Sequence, residues 1–107
     1  MFKPRREAKP VEMFPGVVRR TLASGDRATL VEVTLTKGAT VPPHQHEHEQ
    51  VGYIARGRVR FEIGGETREL TEGDSYLARS NVLHGVIALE DSIAIDIFSP
   101  PRTEYLD

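Results

Sequence analysis

The chain contains no cysteine and no tryptophan among its 107 residues. The absence of cysteine excludes disulfide bonds, thiolate metal ligands and a cysteine nucleophile. The 14 Lys and Arg residues against 16 Asp and Glu residues give a net charge of -2, so there is no excess of cations for binding nucleic acid. No apolar run approaches the roughly 18 residues that a membrane span needs. The protein is therefore expected to bind neither nucleic acid nor membrane.

The first ten residues lack the apolar stretch of a secretory signal peptide, because they are charged and interrupted by proline. We therefore expect a cytoplasmic protein. The length fits one domain with a radius of gyration of about 13 Å. We divide the chain into an N-terminal arm, residues 1–15, and a β-barrel domain, residues 16–107. The arm is interpreted as either a flexible leader or a cover for a sheet edge.

Apolar and polar residues alternate along several segments that end at glycine-containing turns. Val31, Val33 and Leu35, for example, share one face of such a segment. This period of two, without a helical stripe, predicts short strands in an all-β sandwich or barrel. The predicted strands are Val17–Ala23, Ala28–Thr36, His44–His48, Gln50–Ala55, Arg58–Ile63, Glu66–Leu70, Ser75–Ala78 with Gly85–Leu89, and Ser92–Phe98.

All four histidines lie in two places along the chain. Three occupy alternate positions from His44 to His48, and the fourth is His84. Because alternate side chains of an extended strand share a face, His44 and His46 point the same way and Gln50 can join them. His84 is the only histidine left to supply a ligand from a second segment. The pattern predicts a metal site, with His48 either supporting the ligands or lying at the surface.

The last predicted strand carries two different rows of side chains. Ile93, Ile95 and Ile97 form an apolar row, which we interpret as the packing face. Asp96 and Phe98 share the opposite row, which faces either the barrel lumen or the solvent. In a lumen, a carboxyl group beside an aromatic ring suits the binding and chemistry of a sugar.

Two prolines follow this strand and stiffen the chain before Arg102. Arg102 is either part of a solvated tail or a carboxylate-binding residue, since arginine suits bidentate recognition of carboxylates. Tyr53 and Arg60 are further candidates for lining a pocket. Their alternatives are ordinary strand packing for Tyr53 and surface charge for Arg60.

The histidine-rich stretch resembles the first sequence motif of the cupins. The pattern reads Gly38-x5-His44-x-His46-x3-Gln50-x6-Gly57, with glutamine where most cupins have glutamate. The resemblance implies an all-β fold, the small single-domain cupin jelly-roll barrel. It also implies one divalent metal ion near the barrel mouth.

The second cupin motif is matched in part by Gly73-x5-Arg79-x-Asn81-x2-His84-x3-Ala88. Its glycine and histidine agree with the family, whereas Arg79, Asn81 and Ala88 replace the usual residues. Asparagine is compatible with the turn because it enters left-handed conformations more readily than most residues. The two motifs together imply four metal ligands, which are His44, His46, Gln50 and His84.

The implied ligand set contains no carboxylate. Three neutral imidazoles and an amide leave the charge of a divalent ion uncompensated, which favours an anionic substrate and Lewis-acid chemistry. This set also differs from the two-histidine, one-carboxylate set of non-haem iron oxygenases. Nickel, iron, manganese and zinc all suit such ligands.

The C-terminal segment Asp96-Ile-Phe98-Ser-Pro-Pro-Arg102-x-x-Tyr-Leu, together with the earlier His-Glu-Gln-Val-Gly-Tyr, is similar to the pectin-degradation cupins of the KdgF family. The resemblance implies a metal-dependent enzyme that linearises 4,5-unsaturated monouronates from pectin and alginate by ring opening and ketonisation, without a redox cofactor. Asp96, Phe98 and Arg102 are then the catalytic residues.

Two other readings of the sequence stay open. One is a different metal-binding cupin enzyme, a sugar isomerase or a dioxygenase, and the other is a non-enzymatic cupin that binds a small ligand. The partners expected for the preferred reading are an anionic sugar and a second copy of the chain. We expect this homodimer to form through sheet edges and the arm segment 11–14, because jelly rolls leave strand edges to be covered.

Overall fold

The computed structural model of the protein describes residues 1–106, and these contain strands and two 3-10 helices of three residues each, Arg5–Glu7 and Thr103–Tyr105. The all-β prediction is therefore confirmed. No helix within the described residues has the length and hydropathy of a membrane span. The strands are β1 (Pro10–Phe14), β2 (Val17–Ser24), β3 (Thr29–Leu35), β4 (Thr40–His44), β5 (Glu49–Arg56), β6 (Arg58–Ile63), β7 (Glu66–Thr71), β8 (Ser75–Ala78), β9 (His84–Ala88) and β10 (Ser92–Ser99).

The strands form two antiparallel sheets that pack face to face. The larger has six strands in the order β1-β2-β3-β10-β5-β8, and the smaller has four in the order β4-β9-β6-β7. Ile54 and Ala94 of the larger sheet meet Val59 and Phe61 of the smaller one in the central apolar cluster. The Cα radius of gyration is 12.9 Å, as expected for one domain of this length.

The N-terminal residues extend the larger sheet. β1 pairs with β2 from Pro10 to Phe14, so the edge-covering interpretation describes this segment. The preceding turn is fixed by Arg5, whose guanidinium donates two hydrogen bonds of 2.8 and 2.9 Å to the Glu32 carboxylate on β3. Sequence alternation did not reveal β1, because the strand has only five residues and Pro15 and Gly16 follow it at once.

The predicted strand His44–His48 is wrong. β4 ends at His44, and residues 45–48 form a bend before β5 begins at Glu49. The physical reason is the topology: β4 lies at the edge of the four-stranded sheet, whereas β5 lies inside the six-stranded one. The chain must cross between the sheets here, so a continuous strand cannot form.

The predicted pairing of Ser75–Ala78 with Gly85–Leu89 as one element is also wrong, because β8 and β9 belong to different sheets.

The predicted packing face of the last strand is wrong as well. In β10 the buried row is Ala94, Asp96 and Phe98, while the isoleucines face outward and Ile97 is 44% exposed. Parity alone cannot choose between the two faces of a strand. The row that contains the aspartate faces inward because partners for the carboxyl group lie inside the barrel, on β5 and β8.

The homodimer stays a prediction. β1 is the outermost strand at one end of the six-stranded sheet and β8 at the other. A strand in that position offers unpaired backbone groups on its outer side. We expect static light scattering at high micromolar concentration to give about twice the chain mass of 12.0 kDa. A single-chain mass over the whole concentration range would contradict the prediction.

Candidate metal centre and pocket

Three histidine side chains converge at one end of the barrel. His44 comes from the end of β4, His46 from the following bend and His84 from the start of β9, opposite His44 in the sheet. Their potential ligand nitrogens all lie within 4.8 Å of one another. The ring centroids of His44 and His46 lie 4.4 and 4.9 Å, respectively, from the centroid of His84. The structure therefore brings together the three histidines that the cupin motifs single out.

Backbone hydrogen bonds fix the orientation of all three imidazoles. Nδ1 of His44 lies 3.0 Å from the Pro42 carbonyl oxygen, and Nδ1 of His84 lies 2.8 Å from that of Val82. Nδ1 of His46 lies 2.9 Å from the carbonyl oxygen of His48. A carbonyl can only accept, so each Nδ1 carries a proton, which in the neutral imidazole leaves the lone pair on Nε2. This is the tautomer that a metal ligand needs.

Acceptor atoms of the histidine site face no hydrogen-bond donor. His46 Nε2 is buried and has no hydrogen-bond partner within the described residues. The side-chain amide of Gln50 turns its oxygen toward the histidines, and its NH₂ group acts on Asp96 by lowering the pKa of that carboxyl group. That oxygen lies 3.2 Å from Nε2 of His84, and both atoms are acceptors. Two acceptor atoms that face each other, and a buried nitrogen without a hydrogen-bond partner, become favourable when a cation lies between them. These side chains therefore suit a divalent metal ion.

Burial favours the neutral form of two of the imidazoles, those of His46 and His84. It lowers the pKa of His46 to about 4, with a further contribution from the positive charge of Arg102. Burial likewise lowers the pKa of His84. Protons therefore do not compete for these nitrogens near neutral pH, and the uncharged rings are ready to bind a metal.

The fourth histidine occupies a different position. His48 is only 8% exposed and lies outside the cluster, with its ring centroid 5.5 Å from that of His46. Its backbone carbonyl receives the Nδ1 hydrogen bond of His46, so it supports that ligand and is not a surface residue. The turn of the second motif holds the same bend, because the N–H of Asn81 donates to the His46 carbonyl oxygen at 2.8 Å. Asn81 has a φ of 61°, which confirms the left-handed conformation expected for it.

One pocket is lined by three of the four predicted metal ligands and by the C-terminal candidates. Its lining includes His44, Gln50, His84, Asp96, Phe98 and Arg102. Asp96 is 5% exposed and accepts a hydrogen bond of 2.5 Å from the Tyr76 hydroxyl. Burial raises the pKa of Asp96 to about 6, although the hydrogen bonds from Tyr76 and Gln50 act in the opposite direction. The lumen interpretation of Asp96 and Phe98 therefore describes their position in the fold.

Arg102 reaches the pocket across two aromatic rings. Its guanidinium carbon lies 4.8 Å from the Phe98 ring centroid and 4.2 Å from that of Tyr105. Cation–π contacts of this kind hold an arginine in place without consuming its N–H donors. The backbone N–H of Arg102 donates to the buried Thr29 hydroxyl at 3.0 Å, which ties the C-terminal tail to the start of β3. The tail is thus fixed over the pocket.

The pocket residues that the sequence did not identify include Tyr76 and Tyr105, and two residues proposed as lining residues lie elsewhere. Tyr76 and Tyr105 line the pocket; the position of Tyr76 two residues before inward-facing Ala78 was a usable signal. Tyr53 and Arg60, proposed as lining residues, lie on the outer faces of β5 and β6 and do not reach the pocket. Alternation along a strand explains both outward positions, because each residue lies next to one whose side chain is buried.

The fold and the histidine site define a cupin, and comparison with known proteins agrees. The cupin domain family matches residues 31–98, so the chain belongs to the cupin family. Among curated proteins it is 41% identical over 97 residues to the pectin degradation protein KdgF of Dickeya dadantii, covering 89% of this chain and 88% of that protein. At this identity and coverage the chain belongs, within the cupins, with KdgF.

Solved structures give the same placement. KdgF from Halomonas sp. superposes with a TM-score of 0.93 at 39% identity, covering 99% of this chain and 98% of that one. A more distant curated relative is the H2HPP isomerase of Bacillus subtilis, 35% identical over 92 residues, or 83% of this chain but 39% of that protein. The cupin jelly-roll fold predicted from the motifs is therefore confirmed.

We expect the purified protein to carry close to one divalent metal ion per chain, removable by a chelator. His46→Ala and His84→Ala should each lower the metal content strongly, because each removes a nitrogen of the cluster. His48→Ala is the matched control and should retain most of the metal. Elemental analysis of protein purified without chelator measures this content. Equal losses in all three variants, or no stoichiometric metal in the wild type, would refute the ligand assignment.

Proposed function

We propose that the protein is a metal-dependent enzyme that linearises 4,5-unsaturated monouronates of the kind released from pectin and alginate. The observation that carries the proposal is a single pocket in which buried Asp96 and Phe98, together with partly exposed Arg102, face the histidine cluster. This combination offers an acid–base group, an apolar ring and a cation to one small anionic sugar. The relationship to proteins named for pectin degradation supports the same substrate class.

Arg102 is proposed to bind the substrate carboxylate. Its Nε donates to the Glu104 carboxylate at 2.8 Å, and its remaining guanidinium nitrogens make no other side-chain hydrogen bond within the described residues. The side chain is 12% exposed, so a carboxylate paired with it is largely removed from water. Phe98 offers its ring as an apolar surface for the sugar ring beside this anchor.

Asp96 is proposed to act first as a base and then as an acid. The carboxylate takes the proton from the anomeric hydroxyl, the C1 carbonyl forms and the bond between C1 and the ring oxygen breaks. The electron pair of that bond stays on the ring oxygen as an enolate, and protonation at C4 leaves the C5 ketone. The reaction is an isomerisation with no net change in atoms or electrons. A carboxyl group with a pKa of about 6 suits both proton transfers near neutral pH.

The metal site contributes to this proposal through His44, His46, His84 and, as fourth ligand, Gln50. A divalent ion bound by these side chains would stabilise negative charge on substrate oxygens as a Lewis acid. Because none of the four ligands is anionic, this arrangement favours an anionic ligand in the remaining coordination positions. Nickel, iron, manganese and zinc all remain candidates.

Asp96→Asn tests the acid–base role. The change preserves side-chain volume but removes the ionisable carboxyl group, so we expect a loss of roughly two to four orders of magnitude in kcat. The assay follows the absorbance of the conjugated unsaturated uronate, and metal content serves as the control for an intact site. Turnover at the wild-type rate in a metal-loaded Asp96→Asn protein would rule out this role.

Arg102→Ala tests the carboxylate anchor. A contact made in both ground state and transition state contributes to binding, so KM should rise by one to two orders of magnitude, at about 1.4 kcal/mol per tenfold, while kcat changes little. Arg60→Ala removes an arginine from the outer face of β6 and is the matched control. Equal kinetic constants for the two variants would contradict the anchor.

Oxygen consumption separates the proposed reaction from that of a cupin dioxygenase. The ring opening involves no oxidation, so substrate should disappear at the same rate in air and under nitrogen. An oxygen electrode should record no uptake during turnover. Uptake of one O₂ for each substrate consumed would favour the dioxygenase alternative instead.

A further inference from the structure

Three residues from neighbouring strands form one line across the six-stranded sheet. Tyr76 on β8 lies directly opposite Gly52 on β5, and Gly52 lies directly opposite Asp96 on β10. All three belong to the inward-facing rows of their strands. The Tyr76 side chain therefore crosses over the backbone of β5 to reach Asp96.

Gly52 makes this crossing possible. A Cβ atom at position 52 would lie 2.0 Å from Cζ of Tyr76 and 2.3 Å from its hydroxyl oxygen, a distance that atoms cannot adopt. The φ of Gly52 is outside the left-handed range, so the backbone conformation does not require glycine. The glycine is needed for space, because any side chain there would displace the tyrosine ring.

The tyrosine ring is also held from the opposite sheet. Its centroid lies 4.3 Å from that of Phe61 on β6, with the planes tilted by 37°. Both Tyr76 and Asp96 are more than nine-tenths buried. The hydroxyl group is thus placed by packing on two sides, and it donates its 2.5 Å hydrogen bond to a carboxyl group that has no freedom to seek another partner in water.

We propose that Tyr76 is a positioning residue for the reaction, which holds the Asp96 carboxyl group in its productive orientation, and that Gly52 provides the space for it. The inference rests on the proposed function of Asp96. It assigns no contact with substrate to Tyr76, which acts through the aspartate. An aspartate side chain rotates about two bonds, and a buried hydrogen bond that restricts this rotation removes unproductive orientations.

Tyr76→Phe tests the role, because it keeps the ring against Phe61 and Gly52 but removes the hydroxyl. We expect kcat to fall about 10- to 100-fold, with KM and metal content close to wild type. Tyr53→Phe is the matched control, since it makes the same chemical change at a residue that is 48% exposed on the outer face of the adjacent strand. Gly52→Ala should reproduce the kcat loss by displacing the ring.

A double-mutant cycle distinguishes positioning from a general structural effect. In an Asp96→Asn background Tyr76→Phe should cost less than threefold in residual kcat, because the carboxyl group it positions is absent. Denaturant unfolding can be compared for the wild type, the two single variants and the double variant. The effects of the two substitutions on the free energy of unfolding should not be additive, and this measurement needs no substrate. Equal fold losses of kcat in both backgrounds would overturn the inference, as would additive effects on unfolding.

The outcomes also separate this inference from the proposed function. A wild-type protein that does not accelerate loss of unsaturated uronate would contradict the proposed function and the role of Tyr76 with it. An active wild type whose Tyr76→Phe variant keeps its kcat would contradict the inference alone. Circular dichroism of each variant verifies the fold before the kinetics are compared.

Discussion

The site depends on the burial of the Asp96 carboxyl group inside the barrel, beside the ring of Phe98. β10 lies between β3 and β5 in the larger sheet, and its alternation turns Asp96 and Phe98 toward the lumen. A buried carboxylate without partners is strongly destabilising, with an effective cost of several kcal/mol. The surrounding residues offset that cost, because the Tyr76 hydroxyl donates a hydrogen bond to Asp96 and the Gln50 amide also favours the charged carboxylate by lowering its pKa.

The Gln50 amide links Asp96, the proposed acid–base group, to the histidine cluster. Because the Gln50 NH₂ group faces Asp96, its oxygen faces His84 and is available as a ligand. A glutamate at position 50 would place a second carboxylate against Asp96, and mutual repulsion would raise the pKa of at least one of them. Glutamine at this position is thus consistent with both requirements, a neutral ligand and a hydrogen-bond donor.

Local patterns in the sequence predicted what depends on local spacing. Strand alternation located most of the strands, and motif spacing selected His44, His46 and His84, which the structure brings within 4.8 Å of one another. The strand predicted from His44 to His48 ends at His44, yet the histidines still meet, because the bend after β4 folds His46 back toward the cluster. The right residues were therefore predicted for a partly wrong geometric reason.

Properties that depend on the other sheet or on neighbouring strands could not be predicted from local patterns in the sequence. The isoleucine row of β10 has the composition of a packing face, but the partners of Asp96 lie on β5 and β8, which are distant in the sequence. Tyr76 likewise has no sequence signature apart from its inward parity. Its role becomes visible only when the register places it across Gly52 from Asp96.

The central claim is that this pocket opens an unsaturated uronate and delivers a proton to C4 from a fixed direction. Nuclear magnetic resonance of the product formed in deuterium oxide, recorded early in the reaction, tests this most directly. A positioned Asp96 predicts one deuterium at C4 in a single stereochemical configuration, formed much faster than in the absence of protein. An equal mixture of the two configurations, or formation only at the spontaneous rate, would contradict the account.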